Sequence, residues 1–343
     1  MTDTRSVPLA QHQDQQYDPV EVTATSPVDD DGIDRRNFLS CMSWVGAGLL
    51  WTIAGGVPVS KLLAATVGKA DGQALHAQAS SDLSFIQISD THIGFKAANQ
   101  DVSATLKLAL DKINKVPGTL DLLLHTGDIS HSSKPAEFDT AQQLIKGARV
   151  GQAFYVPGEH DTEIDDGARY MERFGKGTTG RGWYSFTHKG VHFIGLNNAL
   201  DQTDAMGRLG PEQLKWMKAD LAGLSASTPI VVFAHYPLWM MYREWGWGTQ
   251  EGAEALSYLK RFGSVTLLNG HSHQATQKVE GNVSFHTAAS TAYPKPAPGK
   301  AKSEGCILVP AGKLKSVLGI TEVKYIARRS HLAIVDPSLE EGA

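Results

Sequence analysis

Carboxylates and imidazoles recur in this chain at short, ordered spacings: Asp90-Thr91-His92, Gly127-Asp128, Gly158-Glu159-His160-Asp161, His235 and Gly270-His271-Ser272-His273. Both groups bind divalent metals, and imidazole also moves protons near neutral pH. A single Asp-x-His pair carries little weight. The set gains weight from its placement, because each member follows a short apolar run. Those runs, at residues 83–89, 120–125, 153–156, 230–234 and 265–268, read as buried strands. In open α/β sheets, sites form at the carboxyl ends of strands, so these five ends are expected to meet on one rim.

The elements that must position these residues alternate in type. Residues 191–196 also read as a strand, and helical patterns fall between the strands at 102–115, 135–146, 211–221 and 251–262. Pro211 takes the first-turn position that suits it. Such alternation predicts α/β layers with helices covering a sheet. A Pro-, Gly- and Lys-rich stretch at 293–302 reads as a linker to two last strands, 320–327 and 331–335.

Taken in order, Asp-x-His, Gly-Asp, Gly-x-His-Asp, His and Gly-His-x-His resemble the signature of the calcineurin-like metallophosphoesterases, across residues 83–286. The resemblance implies a four-layer α/β/β/α sandwich, here with a small C-terminal β extension, and hydrolysis of a phosphomonoester or phosphodiester. It implies two metal ions per chain, drawn from Mn, Fe or Zn, roughly 3.5–4 Å apart with positions left open for substrate. By motif position, Asp90, His92 and His273 hold one ion, His235 and His271 hold the other, and Asp128 bridges them. A water bridging both ions loses a proton readily and attacks phosphorus in line with the leaving oxygen. The ions also neutralise the phosphoryl oxygens. His160 is then placed to stabilise the transition state or protonate the leaving group, with Asp161 orienting it.

The chain departs from the family at the third motif, where Glu159 replaces the usual Asn. As a seventh ligand, Glu159 removes one positive charge: two divalent ions bring +4, and Asp90, Asp128, Glu159 and a bridging hydroxide bring −4. A neutral site pulls less on a phosphate anion, or favours a trivalent ion such as Fe(III). The other reading turns Glu159 to solvent and puts water in its place. His131, three residues after Asp128, stands where purple acid phosphatases carry a metal-binding Tyr. Its spacing resembles the nuclease branch, in which the His lies near the substrate phosphate; an exposed loop histidine is the alternative.

His125, His188, His192 and His286 fall in or beside strands and read as structural. Asn197 and Asn198 either line the rim or form a turn. After His235 comes an aromatic run with Trp239, Tyr242, Arg243, Trp245 and Trp247. It reads either as a substrate wall, with Arg243 gripping a second phosphate, or as a loop folded on its own rings.

Of 343 residues, 41% are hydrophobic, which allows a sizeable core, and the net charge of −4 gives no basic signature for nucleic acid. Residues 1–30 are polar and aperiodic. They lead into Arg35-Arg36-Asn37-Phe38-Leu39 and a glycine-broken apolar run at 42–59, a pattern that resembles a twin-arginine export signal. Ala77-Gln78-Ala79 offers cleavage before Ser80. Removing the leader removes Cys41 and leaves Cys306, so no internal disulfide is expected. The expected plan is a disordered region and signal at 1–79, the metallophosphoesterase domain at 80–292, and a linker with a β extension packed on it at 293–343. Expected partners are a phosphate-ester substrate and the twin-arginine export machinery, with no nucleic acid and no stable membrane span in a mature periplasmic form. A second reading, a catalytically weak metal- or partner-binding protein on the same fold, rests on Glu159 and the aromatic run.

Overall fold

The computed structural model describes residues 50–54, 57–61, 82–200, 205–325 and 332–340. The chain divides into two compact units, Thr23–His76 and the remainder. In the first, β1 (Leu50–Ala54) and β2 (Val57–Lys61) pair antiparallel, with Leu50 opposite Lys61 and Ala54 opposite Val57. Arg35-Arg36, residues 1–30 and the cleavage motif at Ala77 lie outside the described residues. Among the described residues, no helix is long and apolar enough to cross a membrane.

The second unit is built on two sheets. β3 (Leu83–Ile88), β4 (Leu120–Thr126) and β5 (Val150–Val156) lie parallel and side by side, with α1 (Val102–Asn114) and α2 (Pro135–Ile145) in the connections. Asp101 caps α1 by accepting the Ala104 N–H, and Pro135 opens α2, where a missing N–H costs nothing. α3 (Ala168–Phe174) follows β5. The second sheet contains β6 (Tyr184–His188), β7 (Val191–Gly195), β8 (Ile230–Phe233), β9 (Val265–Asn269), β10 (Thr276–Glu280) and β11 (Val283–Thr287). Its order is β10-β11-β9-β8-β7-β6, with β7, β8, β9 and β11 parallel and an antiparallel strand at each edge. α4 (Gly210–Ala222) joins β7 to β8, and α5 (Gly252–Leu259) joins β8 to β9. After α6 (Leu314–Val317), β12 (Thr321–Tyr325) pairs antiparallel with β3, and β13 (Leu332–Val335) pairs with β12. The C-terminal strands therefore extend the first sheet.

Side-chain alternation along each strand makes four layers. On β3, Leu83 and Phe85 face the other sheet, where they join Leu122, Leu124, Phe193, Val231, Phe233 and Leu268. Phe85 meets Phe193 edge to face at 5.5 Å. Ile86 and Ile88 face outward onto Leu106, Ala109, Phe138 and Ala141 of α1 and α2. Ile194, Val232 and Leu267 of the second sheet likewise cover Leu214, Met217, Ala255 and Leu259 of α4 and α5. Gln87 crosses the inner layer, donating to Thr126 Oγ1 and to the Asn269 carbonyl, both at 3.0 Å. It ties β3, β4 and β9 together directly behind the rim.

Within the described residues, each run read from the sequence as a strand between 83 and 335 appears as one. β6, β10, β11 and α3 were not read there. β10 is mostly exposed and polar, and β6 is a half-buried edge, so neither shows a continuous apolar run.

Candidate metal centre

The loops after β3 and β4 run side by side. Asp90 N–H donates to the Gly127 carbonyl at 3.0 Å, and His92 N–H donates to the Asp128 carbonyl at 2.9 Å. The loops of the second sheet are tied to each other by Gly270 N–H on the His235 carbonyl at 3.0 Å and reach across to the first sheet's loops, with His271 N–H on Asp90 Oδ1 at 3.1 Å. Asp90, His92, Asp128, His271 and His273 all hold left-handed backbone, with φ between 40° and 64°. Such conformations cost about 1–3 kcal/mol each and persist where the surroundings over-determine them. The turns also need space. Gly127 has φ +92°, and a Cβ there would stand 2.5 Å from His235 Nδ1; a Cβ on Gly158 would stand 2.1 Å from Asp128 Oδ1.

The structure brings all seven sequence-derived candidate ligands together in two adjoining groups. In one, Asp90 Oδ1 lies 3.3 Å from His273 Nε2, which lies 3.2 Å from His92 Nε2. In the other, Glu159 Oε2 lies 2.6 Å from His235 Nε2, and Oε1 lies 2.9 Å from His271 Nδ1. Asp128 Oδ2 stands between them, 3.4 Å from His92 Nε2 and 3.4 Å from His235 Nε2.

Two of the imidazoles have their tautomer set from behind, in the manner of metal-ligating histidines. His235 Nδ1–H donates to the Thr126 carbonyl at 2.7 Å, and His273 Nδ1–H to the Tyr293 carbonyl at 2.6 Å. His92 Nδ1 shares a 3.3 Å hydrogen bond with His131 Nδ1. With Nδ1 committed to the Tyr293 carbonyl, His273 Nε2 presents its lone pair toward His92 Nε2 across 3.2 Å. Two ligands on one ion with bonds of about 2.0–2.1 Å have a separation of this order. Asp90 Oδ2, Asp128 Oδ2, Glu159 Oε2, His235 Nε2 and His271 Nδ1 are buried without a hydrogen-bond partner. These donors fit two divalent ions.

Electrostatics follow the geometry. Burial works against charge on Asp90 and Glu159, yet His273 and His235 hold Asp90, and His271 and His235 hold Glu159, below the usual carboxylate range. Burial also opposes charge on His235, but Asp128 and Glu159 lift it well above its ordinary value. His92 is pushed well down, first by burial and then by its neighbours His160, His273 and His131.

His131 and His160 stack at 4.6 Å beside this centre and line a cavity of about 570 Å³ with Glu159 and His271. Burial and His160 push His131 down to about 3. For Asp161 the structure corrects the expectation that it orients His160. His160 Nδ1–H donates to the His131 carbonyl at 2.8 Å, whereas Asp161 accepts backbone N–H groups of Ile129, Ser130 and Gly158 at 2.8–3.0 Å. Four nearby hydrogen bonds, counting the Ser130 hydroxyl, make Asp161 the clamp of the Asp128 and Gly158 turns. Burial, and then the Asp128 charge, push Asp161 up to about 7.

The substrate-wall reading of the aromatic run is also corrected. Trp239, Tyr242, Arg243, Trp245 and Trp247 do not line the cavity. Trp239 packs on Phe285, Tyr242 on Trp245, and Trp245 on Trp247, each at 4.8–5.1 Å, in the tilted edge-to-face geometry that aromatic rings favour. Arg243 is exposed. Asn197 and Asn198 are buried loop braces; Asn198 accepts the Tyr236 N–H and donates to its carbonyl. His125, His192 and His286 bond to Thr91, Asp220 and Thr321, respectively, and His188 faces Asp121.

Sequence reasoning missed the wall made by the segment after β11. Tyr293, Lys295, Glu304 and Cys306 line the cavity, and Tyr293 stacks on Phe95 at 4.2 Å. The start of the stretch 293–302, read as a linker, thus lies against the centre through Tyr293 and Lys295.

The family model for calcineurin-like phosphoesterases matches residues 83–275, which include all seven candidate ligands. The chain belongs to the calcineurin-like phosphoesterase family. The family is dinuclear and metal-dependent, and the chain is a metal-dependent phosphoric ester hydrolase. It is 27% identical over 220 residues to a 3',5'-cyclic-nucleotide phosphodiesterase of Nostoc sp., covering 62% of this chain and 79% of that one. It is 24% identical over 225 residues to a glycerophosphodiester phosphodiesterase of Enterobacter lignolyticus, covering 61% and 77%. Among solved structures it is similar to the purple acid phosphatase PPD1 of yellow lupin, with TM-score 0.57 and 15% identity. That likeness, which covers 77% of this chain and 52% of the lupin enzyme, shows the fold; the chain spans about half that enzyme's length.

Proposed function

We propose that this chain is an exported phosphodiesterase of the calcineurin-like phosphoesterase family, working with two divalent ions. The observation that carries the reading is the placing of Asp128 Oδ2 midway between two groups of lone-pair donors, 3.4 Å from each nearest imidazole, beside a roomy cavity. Asp90, His92 and His273 would hold one ion, and Glu159, His235 and His271 the other, with Asp128 common to both. The ions supply Lewis-acid neutralisation of the phosphoryl oxygens and activation of water.

The chain's own groups supply the rest. The His131 carbonyl fixes His160 through Nδ1, leaving Nε2 to face the reaction. Burial opposes charge on His160, but Asp128 and Glu159 raise its pKa, which suits a group that gives its Nε2 proton to the leaving alkoxide. Phe95, Ala199 and Leu200 give the alcohol parts of the ester an apolar surface. Drug-sized ligands occupy cavities of about 300–1,000 Å³, so about 570 Å³ has room for both arms of a diester. The related proteins named above as diesterases support this choice over a monoester.

Purified protein reloaded with Mn, Fe or Zn should hydrolyse a bis-aryl phosphate at least about tenfold better in kcat/KM than a mono-aryl phosphate, a difference of about 1.4 kcal/mol. One observation favours the catalytically weak alternative: both Glu159 oxygens point at imidazoles, so its extra charge stays in the centre. Absence of turnover with every metal at full occupancy would establish that alternative.

Export rests on Arg35-Arg36-Asn37-Phe38-Leu39 and on the small residues at Ala77 and Ala79. Replacing both Arg35 and Arg36 by Lys should leave the protein in the cytoplasmic fraction. Recovery of that variant in the periplasm would remove the twin-arginine route.

A further inference from the structure

We propose that Lys295 grips a phosphoryl oxygen of the bound ester and that Glu304, held by Trp247, positions it; this rests on the phosphodiesterase reading above. The segment that carries Lys295 is bolted to the centre. Ser290 Oγ donates to the Asp90 carbonyl at 2.7 Å, and the Tyr293 carbonyl accepts His273 Nδ1–H at 2.6 Å. Lys295 follows two residues later, with its side chain 9% exposed, in the wall of the cavity that Glu159, His160 and His271 also line.

Among the described residues lining that cavity, Lys295 is the one Lys or Arg. Its Nζ donates to Glu304 Oε2 at 3.2 Å. Glu304 Oε2 in turn accepts the Trp247 indole N–H at 2.7 Å and lies 3.7 Å from His271 Nε2. An ammonium has three N–H donors, and Glu304 takes one of them. An ammonium is expensive to bury without partners for its remaining protons, and an anion entering the cavity supplies them. Burial alone would discharge the group, but Glu304, Glu159 and Asp128 hold its pKa above the ordinary value, so it meets the substrate as a cation.

This arrangement suits a phosphodiester, which carries one negative charge. Lys295 donates to a non-bridging oxygen, while Glu304 beside it repels the second charge of a monoester dianion. The aromatic run thereby bears on substrate at one remove: Trp247 fixes Glu304, which fixes Lys295.

The test titrates inorganic phosphate into the metal-loaded protein by calorimetry, with metal content measured on the same samples. Lys295→Met should weaken phosphate binding at least about tenfold with the metal content of wild type, and Lys295→Arg should recover most of the loss. Glu304→Gln should tighten phosphate and raise monoester kcat/KM relative to diester. Wild-type affinity in Lys295→Met, a loss explained by missing metal, or no phosphate binding to metal-loaded wild type overturns the proposal. Turnover of bis-aryl phosphate by wild type separates the two readings. If wild type turns over while Lys295→Met keeps phosphate affinity, only the Lys295 assignment falls; if wild type has no turnover, the phosphodiesterase reading falls.

Discussion

Glu159 sets one oxygen 2.6 Å from His235 Nε2 and the other 2.9 Å from His271 Nδ1, where an asparagine would present one neutral carbonyl. The reading that turned it to solvent is not what the structure shows. Glu159→Asn should weaken binding of the second ion about 10–100-fold, measured by metal titration. At saturating metal, the more positive site should acidify its water, and the acidic limb of the pH–rate profile should move to lower pH. An unchanged profile and unchanged metal affinity would strip this residue of significance. The candidate ligands were legible in the sequence because each follows an apolar strand and a strand end has one direction to point. Lys295 and Glu304 were not, because Pro294, Pro296, Pro298 and Gly299 erase any periodicity and only tertiary contact shows the segment's role.

At the scale of elements, the site depends on how closely the strand ends approach. Gly158 lets the turn after β5 sit against Asp128, where a Cβ would stand 2.1 Å from Oδ1 and 2.4 Å from the backbone nitrogen. Gly158→Ala should therefore displace the shared carboxylate and lower turnover about 10²-fold, while far-ultraviolet circular dichroism stays that of wild type. Wild-type activity in that variant would mean the turn relaxes without moving Asp128. The strand that went unread is informative here. β11 runs parallel to β9, so its end reaches the same rim, and the residues after it deliver Ser290, Tyr293 and Lys295 to the centre. The run Val283-Ser284-Phe285-His286 alternates apolar and polar residues and follows a Gly281-Asn282 turn, which was the available signal.

At the scale of the molecule, three apolar layers hold two sheets and their helices together, and a few carboxylates make that assembly sensitive to acid. Burial opposes charge on Asp121 and Asp220. Lys189 and the Ser84 N–H hold the first below its ordinary value, and His192 and Ser185 hold the second. A depressed folded pKa gives stability that is present above the unfolded value of about 3.9 and is lost as pH falls through the folded value. Asp220→Asn should cost roughly 1–2 kcal/mol near neutral pH by urea unfolding, and the gap from wild type should close below about pH 4. A gap independent of pH would contradict the ion-pair account. The α/β layering was readable because both faces of the central strands are buried and so appear as apolar runs. The aromatic run was misplaced because composition cannot show which ring covers which.

The central claim is that one carboxylate, Asp128, joins two metal sites. After chelation, metal should be titrated into wild type and Asp128→Asn, with ions per chain counted by elemental analysis and turnover of bis-aryl phosphate followed in parallel. Two ions in wild type, at most one held tightly in Asp128→Asn, and a loss of about 100-fold or more in turnover are predicted. Fewer than two ions in wild type, or two ions and full activity in Asp128→Asn, would contradict it.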